Sequence, residues 1–309
     1  MLITGATGLL GSYLSAEAKK RYEVYTISHR FLPSIPPCNH SLLDLTDNKH
    51  VMGWLERIRP EIIAHCAALT DVDLCEVEPD YARAINTEAS RGLAHWAAEN
   101  DAQFVLFSTD SVFDGVGRNY RETDAVNPLN VYARSKVAAE RNVIECCQSA
   151  LVIRTNFFGW SSRRKTLAEW MLSKLLNGER FKAFEDIRFS PLFAGDLAQL
   201  AIELIGRGAA GVFHVSAVDS CSKYEFALML ARAFNLSDDS VEPASVSQFS
   251  FRARRPADTS LCVERITECL GREMPTIRDG IIAMRSELAS TNFHPLLANQ
   301  RLAISIIQS

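Results

Sequence analysis

An α/β chain built on a doubly wound parallel sheet is predicted by three observations. A short apolar strand runs straight into a glycine-spaced turn and a helix, Met1-Leu2-Ile3-Thr4-Gly5-Ala6-Thr7-Gly8-Leu9-Leu10-Gly11. Apolar strand-like runs then alternate with helical stretches to about residue 155. One of those runs, Phe104-Val105-Leu106-Phe107, stops at the polar Ser108-Thr109-Asp110. An open parallel sheet meets its ligands beyond the carboxyl ends of its strands, so chemistry is expected there.

Composition bounds the answer. With 309 residues and 47% hydrophobic content, the chain can bury a large core in one large domain or two unequal ones. A net charge of −4 and a pI near 6.0 give no reason to expect a nucleic-acid partner or an anionic membrane surface. No apolar run approaches the roughly 20 residues of a bilayer span, and no signal-peptide pattern opens the chain, so a cytoplasmic protein is expected. The eight cysteines contain no C-x-x-C pair, which predicts reduced, buried thiols and no metal.

The first turn reads as a phosphate cradle. Gly5, Gly8 and Gly11 allow a sharp turn, a close approach of pyrophosphate and tight helix-strand packing, while the helix aims N–H groups at the anion. Gly5, Thr7, Gly8, Leu9, Leu10 and Gly11 are therefore the expected cofactor contacts. The next strand, Val24 to Ile27, completes a βαβ unit and leads to Ser28-His29-Arg30. A carboxylate here would hold a ribose 2′-hydroxyl, and a basic side chain accommodates a 2′-phosphate. His29 and Arg30 thus favour NADPH over NADH.

Prolines at 33, 36 and 37 make the following segment a loop. A short strand is expected over Leu42-Leu43-Asp44-Leu45-Thr46-Asp47, where Asp44 and Leu45 would meet the adenine and Asp44 and Asp47 would cap a helix from Lys49 to Arg57. Pro60 to Ala68 reads as a buried strand whose small end, Cys66-Ala67-Ala68, lets a cofactor lie close. A long helix is expected through Ala82, Ile85, Asn86 and Trp96 to Glu99. Another begins at Tyr132-Ala133-Arg134-Ser135-Lys136, and its four-residue spacing puts the Lys136 ammonium beside the Tyr132 hydroxyl. A nearby cation lowers a phenol from its ordinary pKa near 10.

Beyond Thr155 the alternation loosens. Residues Asn156 to Trp160 are expected near the reacting centre, and Arg163-Arg164-Lys165 either near phosphates or on a solvated face. The helix Thr166 to Leu176 would bury Leu167, Trp170, Met171 and Leu175. A helix through Ile205 and a strand at Val212 to Val215, with His214 as a core residue, would return the chain to the first domain. Ser222 caps a helix to Phe234, Arg255 is placed to grip a diphosphate, and the last helix ends near Leu288. The expected division is a cofactor domain at 1–155 and about 191–218, a substrate domain at about 156–190 and 219–288, and an extension at 289–309.

Taken together, the glycine turn, Ala67-Ala68-Leu69-Thr70-Asp71-Val72-Asp73, Ser108 to Gly115, Tyr132 to Lys136, Arg154-Thr155, Ser190-Pro191, Asp196-Leu197-Ala198 and Arg255 to Leu261 make the chain resemble the extended short-chain dehydrogenase/reductases. Within them it is most similar to the dTDP-4-dehydrorhamnose reductase family. The resemblance implies a Rossmann-type sheet with a smaller α/β substrate-binding domain, and hydride transfer from NADPH to the C4 keto group of a nucleotide-linked 4-keto-6-deoxysugar. Tyr132 would give the proton, Thr109 would hydrogen-bond the same oxygen, and Lys136 would hold the ribose and lower the Tyr132 pKa. Thr155 would join the cofactor contacts, and Thr70, Val72, Ser111, Phe113, Asn156, Phe157 and Arg255 would meet the substrate. The fit is open to a homodimer.

Ser111 discriminates among relatives. The related 4,6-dehydratases carry a glutamate base there and the fucose-synthase type a cysteine, so serine favours plain reduction. The rhamnose-reductase pattern usually has tyrosine, so the sugar itself stays open. Ala133 stands where glycine is common, and only Met1 to Thr4 remain for the first strand. Two rivals share the fold: a non-catalytic regulatory subunit like that of methionine adenosyltransferase, and an epimerase that keeps its NAD.

Overall fold

Strand β1 (Leu2–Thr4) enters the first turn at Gly5 and helix α1 (Leu9–Ala18) follows, in a computed structural model that describes residues 1–29, 39–161 and 165–289. Next come β2 (Tyr25–Ser28), β3 (Asn39–Leu42), α2 (Asn48–Ile58), β4 (Ile62–His65), α3 (Val72–Val77) and α4 (Pro79–Arg83). One π-helical turn, Ala84–Glu88, leads into α5 (Ala89–Glu99), β5 (Gln103–Phe107), α6 (Val131–Cys146) and β6 (Leu151–Arg154). The remainder holds β7 (Phe157–Phe158), α7 (Leu167–Leu176), β8 (Phe181–Phe184), β9 (Arg188–Phe189), β10 (Leu192–Phe193), α8 (Ala194–Gly206) and β11 (Gly211–His214). Last are β12 (Cys221–Ser222), α9 (Lys223–Ala233), β13 (Val241–Ala244), α10 (Glu264–Leu270) and α11 (Ile277–Ala289).

Seven strands form one parallel sheet in the order β11-β6-β5-β4-β1-β2-β3. The order reverses between β1 and β4, and such a switch point opens a crevice above the strand ends. Side chains alternate across the sheet as the pleat requires. Leu2, Ile63, Phe104, Leu106 and Val152 meet Trp54 and Leu55 of α2, Leu93 of α5 and Val143 of α6 on one face. Ile3, Ala64, Val105 and Ile153 meet Leu10 and Leu14 of α1 and Leu197, Ala201 and Ile205 of α8 on the other. That second core continues without a break through Phe158, Trp160, Leu172, Phe226 and Ile281. The smaller pairings, β10 with β7, β12 with β9 and β13 with β8, are built around this extension.

Three expectations are corrected. The third strand lies at Asn39–Leu42, ahead of the apolar run, because Tyr25 to Ser28 offer a parallel edge that Asn39 to Leu42 fill in register; pairing overrides propensity on an edge. The long helix to Glu99 is divided: Pro79 starts α4, and the π turn carries Asn86, whose side chain accepts from Leu69 N at 2.7 Å and donates to Leu69 O at 3.1 Å. Asp47 alone caps α2, accepting from His50 N at 3.2 Å, while Asp44 accepts from Thr46 N at 2.9 Å. His214 is fully buried as expected, and Ser222 caps α9 in a reciprocal box with Glu225. Among the described residues no helix is long and apolar enough to cross a membrane, and no group of acidic, histidine and cysteine side chains could hold a metal.

Candidate active site

A cleft of ≈ 1030 Å³ opens along the carboxyl ends of β1, β4, β5 and β6. Its floor is the glycine turn. Gly5 has φ +65°, a left-handed value that favours glycine, and a Cβ there would meet Ala67 N at 2.7 Å. A Cβ on Gly11 would lie 2.3 Å from the Gly5 carbonyl oxygen. Gly8 caps α1 without a side-chain bond and no acid stands in the first turn. The N–H groups of Leu9, Leu10 and Gly11 therefore point out of a helix end that attracts anions.

The opposite chemistry comes from β5 and α6. Asn130 starts α6, its side chain accepting from Ala133 N at 2.8 Å, which sets Tyr132 in the first turn and Lys136 one turn on. Lys136 is 2% exposed and its ammonium donates to the Phe107 carbonyl at 2.8 Å. Burial lowers it to about 8, against the pull of Glu140. Tyr132 corrects the expected electrostatics. Burial, with the Asp110 charge adding to it, pushes the phenol above its ordinary value, and the Thr109 hydrogen bond offsets only part of that. A phenol so placed holds its proton at neutral pH. Thr109 Oγ1 accepts from Ser111 N at 3.1 Å and donates to Asp110 Oδ1 at 3.1 Å.

Of the expected contacts, Gly5, Gly8, Leu9, Leu10, Gly11, Cys66, Ala68, Thr70, Val72, Thr109, Ser111, Tyr132, Lys136, Thr155, Asn156, Phe157 and Arg255 all line this one cleft. Burial pushes the Cys66 thiol up, so it stays protonated. Thr155 lines the cleft and its Oγ1 is buried without a hydrogen-bond partner, a polar atom left for a ligand to satisfy. The glycine floor, that hydroxyl and the helix end together fit a dinucleotide. Arg255 is held by Asp73 at 2.7 Å.

Other expected contacts lie elsewhere. Thr7 is buried beside the turn and Ala67 is half-buried, neither forming part of the cleft wall. His29 and Asp44 are exposed, 4.0 Å apart, at the ends of β2 and β3, with Leu45 packed against the sheet's helical face. Arg30, Arg163 and Arg164 lie outside the described residues, as does the chain from 290 on. Phe113 is no substrate contact: it is fully buried, stacked on Tyr120 at 4.1 Å with Arg154 over its face. Phe158 and Trp160 likewise belong to the core, Trp160 donating to Met284 O at 2.9 Å. Leu167 and Trp170 stay 40% and 36% exposed, Trp170 edge-on to Phe181, which corrects their expected burial.

Sequence reasoning missed Asp71, Asp73, Phe107, Ser161 and Thr166 in the cleft wall, and the part played by Asp110; Lys165, read as either near phosphates or on a solvated face, lines that wall. Asp110 stands in the polar triplet that ends β5, but its partners are scattered along the chain.

A parallel sheet with its switch point over a glycine cradle, and a Thr-Tyr-Lys set on the facing wall, define an extended short-chain dehydrogenase/reductase. More narrowly, the chain belongs to the RmlD substrate binding domain family, whose model matches residues 1–290. It is 29% identical over 289 residues to the probable low-salt glycan biosynthesis reductase Agl14 of Haloferax volcanii, covering 92% of this chain and 96% of that one. It is 32% identical over 283 residues to methionine adenosyltransferase 2 subunit beta of Danio rerio, covering 88% and 84%. Among solved structures, the dTDP-4-dehydrorhamnose reductase of Bacillus anthracis in complex with NADP matches with a TM-score of 0.84 and 31% identity, over 93% of this chain and 98% of that one.

Proposed function

We propose that the chain is an NADPH-dependent reductase of a nucleotide-linked sugar, acting on the C4 keto group of a 4-keto-6-deoxysugar. The observation that carries this is the meeting of Thr109, Tyr132 and Lys136 in the same cleft as the glycine cradle. Gly5, Gly8, Leu9, Leu10 and Gly11 would hold the pyrophosphate, Thr155 and Lys136 the ribose and nicotinamide side, and His29 with Arg30 the 2′-phosphate. When bound, the reduced nicotinamide supplies the hydride.

The protein's own work is on the oxygen. As negative charge grows there, Tyr132 gives up its proton and Thr109 donates a hydrogen bond. A phenol kept protonated by burial is already in the donor state that reduction needs. Tyr132 stands in the first turn of α6, where the positive end of the helix favours the phenolate left behind. At the position where dehydratases hold their carbon base, Ser111 instead donates to Asp110 Oδ1 at 3.2 Å. Arg255, beside Asp73, would exchange that carboxylate for a diphosphate oxygen.

The test follows NADPH oxidation with a panel of nucleotide 4-keto-6-deoxysugars, NADH run alongside. Turnover that falls at least about a thousandfold in Tyr132→Phe, with NADPH affinity kept, supports the assignment. Likeness to the adenosyltransferase subunit favours a second reading, a non-catalytic NADP-binding subunit. Saturable NADPH binding without turnover on any sugar would select it.

A further inference from the structure

Asp110 is 1% exposed yet carries a carboxylate with four donors around it. Oδ1 accepts from Thr109 Oγ1 at 3.1 Å and Ser111 Oγ at 3.2 Å. Oδ2 accepts from Asn156 Nδ2 at 3.0 Å and Thr259 Oγ1 at 2.6 Å. A carboxylate has about four lone-pair sites, so this one is saturated. Its donors come from three separate segments: the end of β5, the end of β6 and the loop before α10. The Asp110 N–H binds Thr155 O at 3.2 Å, and Thr259 N binds Arg188 O at 3.0 Å, so each segment is itself tied down. The Lys223 ammonium of α9 lies over the Phe189 ring and faces the Asp110 charge, which gives the buried carboxylate a counter-ion.

Thr109 depends on this hub. One lone pair accepts from Ser111 N, its single proton points to Asp110, from which it would turn to the reacting oxygen, and the Tyr132 phenol meets the same hydroxyl. We propose that Asp110 is a positioning residue for the reduction, its carboxylate locking the Thr109 hydroxyl against the C-terminal segment through Thr259 and Asn156. The assignment rests on the reductase reading above. Asp110 itself gives the reacting oxygen nothing; it fixes the group that does. A hydroxyl displaced by about 1 Å loses much of its effect on a developing charge.

The experiment is a kinetic double-mutant cycle on the full chain, with NADPH and the sugar that the panel selects. Asp110→Asn keeps the shape, removes the charge and turns one acceptor of the hub into a donor. It is expected to lower kcat about tenfold or more, with KM and the NADPH dissociation constant changed by less than about threefold. In a Thr109→Val background the same change is expected to cost less than about threefold, because the group it acts through is gone. Should Asp110→Asn fail to fold, Thr259→Val reaches the same carboxylate from the far side, and a fall in kcat of about threefold that also vanishes in Thr109→Val supports the same role. An undiminished penalty in the Thr109→Val background, or a kcat within about twofold of the unaltered chain, would overturn the proposal and leave the reductase intact. No turnover by the unaltered chain on any sugar would overturn the reductase reading itself, and this one with it.

Discussion

Gly11 shows how much chemistry one missing Cβ permits. It lies in the first turn of α1, directly over the glycine turn, and the 2.3 Å between a built Cβ and the Gly5 carbonyl oxygen is a clash with backbone. No side-chain rotation relieves that, so Gly11→Ala must push α1 off the turn. It is expected to weaken NADPH binding by more than about tenfold and to lower the melting temperature, both measurable by fluorescence titration and calorimetry. A variant that binds NADPH normally would contradict the cradle. Residues of this kind were legible because the turn, the strand end and the four-residue Tyr132/Lys136 spacing are local patterns. The partners of Asp110 were not, since Thr259 lies 149 positions away. The Arg255–Asp73 pair, 182 positions apart, was hidden for the same reason. Phe113 misled because a motif position says nothing of direction: its ring turns inward to Tyr120.

Among the elements, α6 matters most, because where it starts decides where Tyr132 sits. Asn130, extended at φ −139°, supplies the cap: its Oδ1 takes Ala133 N and its Nδ2 donates to Arg254 O at 3.0 Å. The same side chain thus fixes the helix start and ties it to the segment carrying Arg255. Asn130→Ala is expected to cost about 1 kcal/mol from the lost cap, read as a lower urea midpoint at unchanged m. Asn130→Asp, which keeps the acceptor, should recover most of it; equal losses in both would show that the Arg254 bond, not the cap, carries the effect. Caps of this class were partly readable, as at Ser222, though not its reciprocal partner Glu225. The β3 edge and the π turn were not. One depends on an edge that only the folded sheet offers, the other on Asn86 reaching Leu69 and Ser135 across the fold.

At the scale of the whole molecule, the sheet sets the pH range of the fold. His65 closes β4 and His214 closes β11, both almost fully buried within the seven-stranded sheet. Burial holds each near 3, well below the ordinary 6.5, with the Lys136 charge adding for His65 and the Arg154 charge for His214. The sign follows from proton counting. Below about 6.5 the unfolded chain takes up two protons that the folded one refuses, so these histidines contribute fully above that pH and lose their contribution as it falls toward 3. The slope approaches about 1.4 kcal/mol per pH unit for each. Two carboxyl groups act the other way. Burial raises Glu287 to about 7 and Asp196 to about 6, so their contribution is present in acid and lost as pH rises through that range. The raw stability curve therefore mixes opposed slopes between about pH 5 and 7, and a difference between variants separates them. His214→Gln removes one titration while the carboxyl groups stay. Its stability deficit relative to the unaltered chain, from urea unfolding, is expected to shrink by about 1.5 kcal/mol between about pH 6.5 and pH 5. His65→Gln should behave alike, since its burial and its depressed value are similar. A deficit that stays constant over that interval would mean that the buried imidazole takes up its proton in the folded state.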